Sequence, residues 1–256
     1  MMAEDYEMRI ATWNVESLRK LTPEREEAFH KAMAKVDADV WVLTETWKTF
    51  SPGAAYQLAA ESSLGEDLKA KKSWADRRWV TIWVKSSLHA KCQEVRSQPD
   101  RMACIQIKMP GYRDILVIGT VLPWNSDSLW LGAKGFCTAL DSQAQEWRAK
   151  VNKHDDSTFI LAGDFNQSLP YERWYGSKIG ASTFGSTLQE LKFICLTQGK
   201  CPKTSKPRID HICVGGMGFD PKRLPRVSDW VATAVNGKPA TDHSGIYVEL
   251  ELQSSK

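Results

Sequence analysis

The chain has no Cys-x-x-Cys and no zinc-type pairing of cysteine with histidine. Its six cysteines, Cys92, Cys104, Cys137, Cys195, Cys201 and Cys213, are therefore expected as reduced, mostly structural thiols, and a zinc centre drops out. A Cys195–Cys201 bridge would need an oxidising setting. Also missing is an apolar run of membrane-spanning length. The amino terminus, Met-Met-Ala-Glu-Asp-Tyr-Glu-Met, carries acids where a secretory signal needs a basic start and an apolar stretch. A cytoplasmic protein without a membrane partner is expected. No Pro/Gly/Ser-rich linker and no short-period repeat divides the chain, which predicts a single domain over 1–256 with its core at about 8–252, and a monomer. Charge of one sign is not in excess: a net charge of +3 permits a polyanionic substrate without demanding one. The Gly-x-Ser-x-Gly elbow of serine hydrolases is absent as well.

What is present suits a soluble globule, 42% hydrophobic and 25% charged, long enough to bury roughly three quarters of its unfolded surface. Eleven tryptophans can serve the core and its rim, or stack on bases. Met8 to Val15 opens with a β-like run. Thr22-Pro23-Glu24 then starts a helix, with Thr22 as N-cap and Phe29, Ala32, Met33 and Val36 at helical spacing. Asp39 to Thr44 is strand-like again, so the first forty-odd residues make a βαβ-sized unit with parallel strands. Arg78–Lys85, Ala90–Arg96, Met102–Met109 and Tyr112–Val121 lie too close together for crossover helices, which predicts an antiparallel meander. A helix through Leu140, Ala144, Trp147 and Val151 follows, then a strand from Phe159. A short helix near Thr187–Phe193, a strand Arg208–Val214 and a last strand Ser244–Leu252 complete the α/β pattern.

The segment Phe159-Ile-Leu-Ala-Gly-Asp-Phe-Asn-Gln-Ser168 is an apolar strand stopped by a glycine, with Asp164 and Asn166 two apart at its carboxyl end. Open α/β sheets place their chemistry at such ends. The plainer account is a strand followed by an Asx-turn. Four other strand edges end the same way, at Asn14 with Glu16, at Glu45, at Asp210, and at Asp242 with His243, which suggests one convergent site. Oxygen-rich ligands with no cysteine nearby suit Mg²⁺ or Mn²⁺. An acidic cluster repels a phosphate, so a cation must mediate. His30, His89 and His154 have no such company.

Taken in order, Thr12-Trp-Asn-Val15, Leu43-Thr-Glu-Thr46, Gly163-Asp-Phe-Asn166, Ile209-Asp-His211 and Thr241-Asp-His-Ser244 resemble the motifs of the endonuclease/exonuclease/phosphatase superfamily. That superfamily includes pancreatic-type deoxyribonuclease, abasic-site endonucleases, sphingomyelinases and inositol-phosphate phosphatases. The resemblance runs from about Met8 to Leu252. It implies a four-layer αββα sandwich of two mixed β-sheets flanked by helices, and hydrolysis of phosphate esters with a divalent metal. It makes Glu45 the principal metal ligand, with Asn14, Glu16 and Asp242 near the metal. Asp164 becomes the base for the attacking water and Asn166 a donor to a phosphoryl oxygen. Asn14 and His243 also contact phosphate, and Asp210 fixes the His243 imidazole.

One position departs from the pattern. Relatives usually carry His or Tyr where this chain has Thr120 and Val121, close to the leaving group. Without a replacement, a missing general acid is worth roughly 10²- to 10⁴-fold. Either another group, His211, Trp124 or metal-bound water, assists the leaving oxygen, or the preferred leaving group is a good one. Lys200, Lys203, Lys206 and Arg208 before the Asp210 strand, and Lys222, Arg223 and Arg226 after it, can line a nucleic-acid backbone or simply be solvated loops. Lys69, Lys71, Lys72, Arg77 and Arg78 flank Trp74 and Trp79, a mix suited to phosphate contact and base stacking. A metal-dependent nuclease is the leading expectation. A phosphatase or phosphodiesterase of small phosphorylated metabolites, and a catalytically weak nucleic-acid-binding protein, are the rivals.

Overall fold

A computed structural model describes residues 6–253, apart from 66–67, 69–74, 128, 173 and 221. The basic residues Lys69, Lys71 and Lys72, with Trp74, lie outside the described residues. Twelve strands and three long helices run in the order β1 (Tyr6–Asn14), α1 (Pro23–Val36), β2 (Val40–Trp47), β3 (Tyr56–Glu61), β4 (Arg77–Lys85), β5 (His89–Cys92), β6 (Met102–Lys108), β7 (Ile115–Val121), α2 (Gly132–Lys153), β8 (Thr158–Asp164), α3 (Lys178–Glu190), β9 (Ile194–Cys195), β10 (Asp210–Gly216), β11 (Arg226–Trp230) and β12 (Gly245–Leu252). One sheet has the order β11-β12-β1-β2-β4-β3 and the other β5-β6-β7-β8-β10-β9. Each contains one parallel pair, β1 with β2 and β7 with β8, so both are mixed.

Side-chain alternation along the strands builds the layers. Met8 and Ile10 of β1, Val40 and Val42 of β2, and Val80, Ile82 and Val84 of β4 meet Val117, Ile160, Ala162, Ile212 and Val214 of the other sheet in one buried core. The alternate residues, Ala11, Trp13, Trp41 and Leu43, pack under Phe29 and Met33 of α1. On the far side, Leu116, Ile118, Phe159 and Leu161 pack under Leu140 and Trp147 of α2 and Phe184 and Leu188 of α3. The result is the expected four-layer αββα sandwich. Each fully buried aliphatic or aromatic side chain adds about 1.5–3 kcal/mol over its exposed state, so the double-sided burial of the central strands outweighs any single helix. Among the described residues no helix is long and apolar enough to cross a membrane.

Several elements depart from the sequence pattern for physical reasons. The expected meander holds for β5, β6 and β7, but β4 belongs to the other sheet, paired with β2 and β3. The turn at 86–88 carries the chain from one sheet to the other. Strand β5 stops at Cys92, and 93–96 run outside the ladder. Three strands were not legible: β3 and β11 are edge strands with half-exposed residues, and β9 has only two. Helix α3 starts well before the expected Thr187, because Ser177 caps it by accepting from the Gly180 N–H at 2.9 Å. Its Gly, Ser and Thr content weakens the helical pattern, and Phe193 lies beyond its end.

Two glycines are fixed by packing. At Gly119 a Cβ would stand 2.6 Å and 3.0 Å from methyl groups of Val80 and Val42 in the facing sheet, so this position sets how closely the sheets approach. Gly163, just before Asp164, has φ +145°, and a Cβ there would fall 1.9 Å from the Thr120 carbonyl oxygen. Gly163→Ala is expected to destabilise by about 3 kcal/mol through overpacking and backbone strain. Gly185→Ala, in the α3 interior with open space around it, is expected to stabilise by up to about 1 kcal/mol. Chemical denaturation of the two variants side by side checks both, and equal effects would refute the packing argument.

Candidate active site

All eight residues singled out from the sequence, Asn14, Glu16, Glu45, Asp164, Asn166, Asp210, Asp242 and His243, line one cavity of about 440 Å³ at the carboxyl ends of β1, β2 and β8. The Asn14 side chain is one of the links between the two sheets there. The Asn14 amide nitrogen donates to Glu45 Oε1 at 2.9 Å and to Asp164 Oδ2 at 3.0 Å, joining a carboxylate of each sheet. Its carbonyl oxygen accepts from the Glu16 N–H at 2.9 Å, which fixes the amide orientation.

The strand end at Asp164 is built alike. Asp164 Oδ1 accepts from the Asn166 N–H at 2.9 Å, and Asn166 Nδ2 donates to the Leu122 carbonyl at 2.9 Å. Asp164 and Asn166 therefore reach one cavity by a turn and not along extended chain. The Asx-turn and the functional reading, posed as alternatives from the sequence, coexist. Glu16, Glu45 and Asn166 have φ of +51°, +46° and +49°, a left-handed backbone that non-glycine residues rarely adopt. Strain of this kind, about 1–3 kcal/mol per residue, persists only where surrounding structure enforces it.

Asp210 begins β10 directly opposite Asp164 in the antiparallel ladder. His243 compensates these facing carboxylates, its Nδ1 donating to Asp210 Oδ2 at 2.7 Å. One ligand atom from each of Asp164, Asp210 and His243 falls within 4.8 Å of the other two, a trio already closed by this ion pair. Asp242 is exposed, with Oδ1 3.7 Å from His243 Nε2. The segment is held by Thr241, which donates to the Asn14 carbonyl at 3.0 Å, and by Trp13, which donates to the His243 carbonyl at 3.2 Å.

Burial disfavours the charge on His243, but Asp210 and then Asp164 overcome it and lift the imidazole well above its ordinary range. Burial and then the Asp210 charge push Asp164 up to about 7. Burial also raises Glu45, against the Asn14 hydrogen bond. Glu16 points its carboxylate at Arg19 and Arg25, 3.5 Å and 3.7 Å away.

At the vacant acid position, Thr120 and the candidate His211 both face elsewhere. Thr120 is buried and donates to Gln143 of α2. His211 turns to the other face of β10, where its Nε2 donates to the Gln167 carbonyl at 2.9 Å. Trp124 does line the cavity. Trp79 is buried beneath Trp124, their rings 5.7 Å apart, and so is not open to a base. Cys201 reaches the cavity wall in the loop it shares with Lys206, contrary to the expectation of no cysteine nearby.

Three residues of the site escaped the sequence reading. Tyr175 lines the cavity half-buried, and burial followed by the charges of Asp164, Glu45 and Asp242 raises its phenol to about 12. Trp174 stands 49% exposed at the rim, with Lys206 Nζ 5.0 Å from its ring. Arg25, buried in α1, donates to the carbonyls of Ala240 at 2.7 Å, Lys20 at 2.8 Å and Val15 at 3.1 Å, tying together the loops that carry Glu16 and Asp242. None belongs to a strand-end pattern, and a fold was needed to bring them in. The basic residues are largely paired: Arg208 clasps Asp229 at 2.8 Å and 2.7 Å, Lys200 meets Glu172 at 3.0 Å and Arg223 meets Glu251 at 3.3 Å.

A sequence model described as the Endonuclease/Exonuclease/phosphatase family matches residues 11–243. No curated protein matches the chain in sequence. Among solved structures, D. rerio TDP2 complexed with single strand DNA product superposes with a TM-score of 0.66 at 17% identity, covering 96% of this chain and 99% of that one. The endonuclease domain of TRAS1, a telomere-specific non-LTR retrotransposon, gives 0.63 at 16% identity over 97% and 100% of the two chains. The AP endonuclease LMAP from Leishmania major gives 0.64 at 17% over 96% and 88%. At these identities the likeness is one of fold.

The electrostatics set the pH dependence of stability in metal-free protein. Asp164 titrates at about 7 when folded against an ordinary 3.8, so the folded state keeps a proton that the unfolded state releases. Stability is expected to fall as pH rises from about 4 to 7, since the folded state binds the extra proton across that window. His243 acts in the same sense: its contribution is full below its ordinary pKa and is lost as pH rises through the raised one. Denaturant melts between pH 4 and 8 should slope downward for the wild type and less for Asp164→Asn. Parallel slopes would refute the assignment.

Proposed function

The chain belongs to the endonuclease/exonuclease/phosphatase family, and from that premise we propose that it is a divalent-metal-dependent hydrolase of phosphate esters acting on nucleic acid. The carrying observation is that Asp164, with a pKa near 7, stands between the Asn14–Glu45 pair and the Asp210–His243 pair on the wall of one open cavity. A general base works best when its pKa is close to the working pH.

The donor set fits a hard divalent cation. Glu45 is a carboxylate disfavoured by burial, and the Glu16 carboxylate lines the same cavity with Arg19 and Arg25 at 3.5 Å and 3.7 Å. Glu45, Glu16 and Asp242 would hold the ion, with the Asn14 amide beside it orienting Glu45. A divalent cation bound there supplies Lewis-acid polarisation of a phosphoryl oxygen. Asp164 takes the proton of the attacking water, held in place by the Asn14 and Asn166 hydrogen bonds to its two oxygens. His243, kept as imidazolium by Asp210, donates from Nε2 to a phosphoryl oxygen. Asn166 has a second amide hydrogen for the same purpose, its first being engaged with Leu122. Tyr175 stays protonated across the neutral range and is the donor available to the leaving oxygen, the role Thr120 cannot take while it bonds to Gln143.

A nucleic-acid substrate is supported by the rim. Trp174 and Trp124 offer π-faces, and Lys206 offers a cation, beside the same cavity. Stacking of bases on aromatic rings and contact of backbone phosphates with cations are the two halves of single-strand binding. The TDP2 structure holding a single strand DNA product points the same way.

The test is turnover of DNA, RNA and phosphomonoesters with Mg²⁺, Mn²⁺ or chelator. Metal-dependent release of nucleotides or oligonucleotides is expected; release of inorganic phosphate alone would favour the metabolite phosphatase. Asp164→Asn should lower kcat by roughly 10²- to 10⁴-fold while sparing substrate binding. Glu45→Gln should raise the metal concentration for half-maximal rate by about tenfold or more.

The pH dependence of kcat/KM should be bell-shaped, rising as Asp164 deprotonates and falling as His243 does. Asp210 raises both groups, so Asp210→Asn should move both limbs to lower pH. Limbs unchanged in that variant would remove both residues from these roles.

A further inference from the structure

Behind β10, on the side away from the cavity, a second reactive group is assembled from residues the hydrolase reading does not use. We propose that Cys195 and Cys213 are a peroxide-reactive dithiol, Cys195 attacking and Cys213 resolving, which closes to a cross-strand disulfide.

Three observations carry it. Cys195 of β9 and Cys213 of β10 are direct partners in the antiparallel ladder. The neighbouring pair, Leu196 and Ile212, is hydrogen-bonded, with Leu196 N–H donating to the Ile212 carbonyl at 3.0 Å. The cysteines therefore occupy a non-hydrogen-bonded site, where side chains come closest and Cα atoms lie about 4.5 Å apart. That separation is within the range of about 4.4–6.8 Å that a disulfide spans.

The second observation is a base of fixed tautomer. His211 Nε2 faces the Gln167 carbonyl at 2.9 Å and must carry the proton there. Nδ1 is then the acceptor, and Cys195 Sγ lies 3.6 Å from it. Thr197 Oγ1, 3.4 Å from the same nitrogen, already accepts from the Ile212 N–H at 2.9 Å. A thiol, a base and a group orienting the base form the arrangement that activates a nucleophile. Hydrogen bonding from Cys213, and after it the His211 ring, hold the Cys195 thiol well below its ordinary range.

The third observation is access. Cys195 is half-buried and lines an open cleft of about 570 Å³ with Leu169, Tyr171 and Phe193, whereas Cys213 is fully enclosed.

The chemistry balances with hydrogen peroxide as the oxidant. His211 Nδ1 takes the Cys195 proton, and the thiolate attacks one peroxide oxygen. An S–O bond forms as the O–O bond breaks, and the departing oxygen leaves as water with the proton from His211. Cys213 sulfur then attacks Cys195 sulfur; the S–S bond forms, the S–O bond breaks, and a second water leaves with the Cys213 proton. Two thiols and one peroxide become one disulfide and two waters.

Exposed Cys92 serves as an internal reference. Intact protein is treated with equimolar hydrogen peroxide at pH 7, then alkylated and peptide-mapped, alongside Cys195→Ser and Cys213→Ser. In the wild type, Cys195 is expected to disappear about tenfold faster than Cys92 or more. The product should be a Cys195–Cys213 cross-linked peptide that dithiothreitol reverses. Cys213→Ser should accumulate a sulfenic acid at Cys195, trapped by dimedone, and Cys195→Ser should leave Cys213 reduced. Oxidation of Cys92 as fast as Cys195, or wild-type oxidation that never links the two cysteines, would overturn the proposal.

Discussion

Two carboxylates facing each other across a β-ladder repel, and the site depends on what answers that repulsion between Asp164 and Asp210. His243 answers it on one side by ion-pairing with Asp210, and the Asn14 amide on the other by donating to Asp164 and Glu45. His243 comes from the loop before β12 and Asn14 from the end of β1, both in the sheet opposite Asp164. The two sheets are thus coupled at the cavity by polar contacts as well as by the apolar core beneath. Without either compensating group, a buried like-charged pair would remain in a poorly solvated place, which is several-fold more damaging than loss of an exposed ion pair.

Positive charge at the site is thereby rationed. One imidazolium neutralises Asp210 and draws Asp164 downward against burial and the Asp210 charge, which push it up to about 7, while Glu45 sits apart with the Asn14 amide donating to it. A carboxylate in that position is poorly stabilised by the protein alone. The surrounding loops are nonetheless fixed before any ligand arrives: Arg25 anchors five backbone carbonyls, Thr241 and Trp13 pin the Asp242–His243 segment, and two Asx-turns hold Glu16 and Asn166 in left-handed conformations. Such preorganisation lets strain be stored where chemistry happens, because the sandwich below is buried on both faces of each central strand.

The dithiol behind β10 shares that strand with Asp210 but not its environment. Asp210 opens toward the cavity and His211 away from it, since successive residues of a strand face opposite sides. One strand end can therefore serve two separate sets of side chains, and adjacency in sequence says little about which set a residue joins.

The motif order, the strand and helix character of the central elements, and the eight cavity residues were legible in the sequence, because each rests on local rules: a strand stopped by glycine, period-two burial, and side chains placed at strand ends. Gly163 was legible as punctuation, but its reason, the Thr120 carbonyl 1.9 Å from where a Cβ would stand, belongs to packing. The edge strands β3 and β11 and the crossing of β4 into the other sheet were not legible, since edges lack a two-sided apolar pattern and sheet membership is set by distant partners. The same limit hid Tyr175, Trp174 and Arg25 and misdirected His211. A sequence shows what a strand end offers, whereas the direction each side chain takes, and the charges it meets there, depend on contacts between distant residues, such as Trp13 with His243, 230 positions apart.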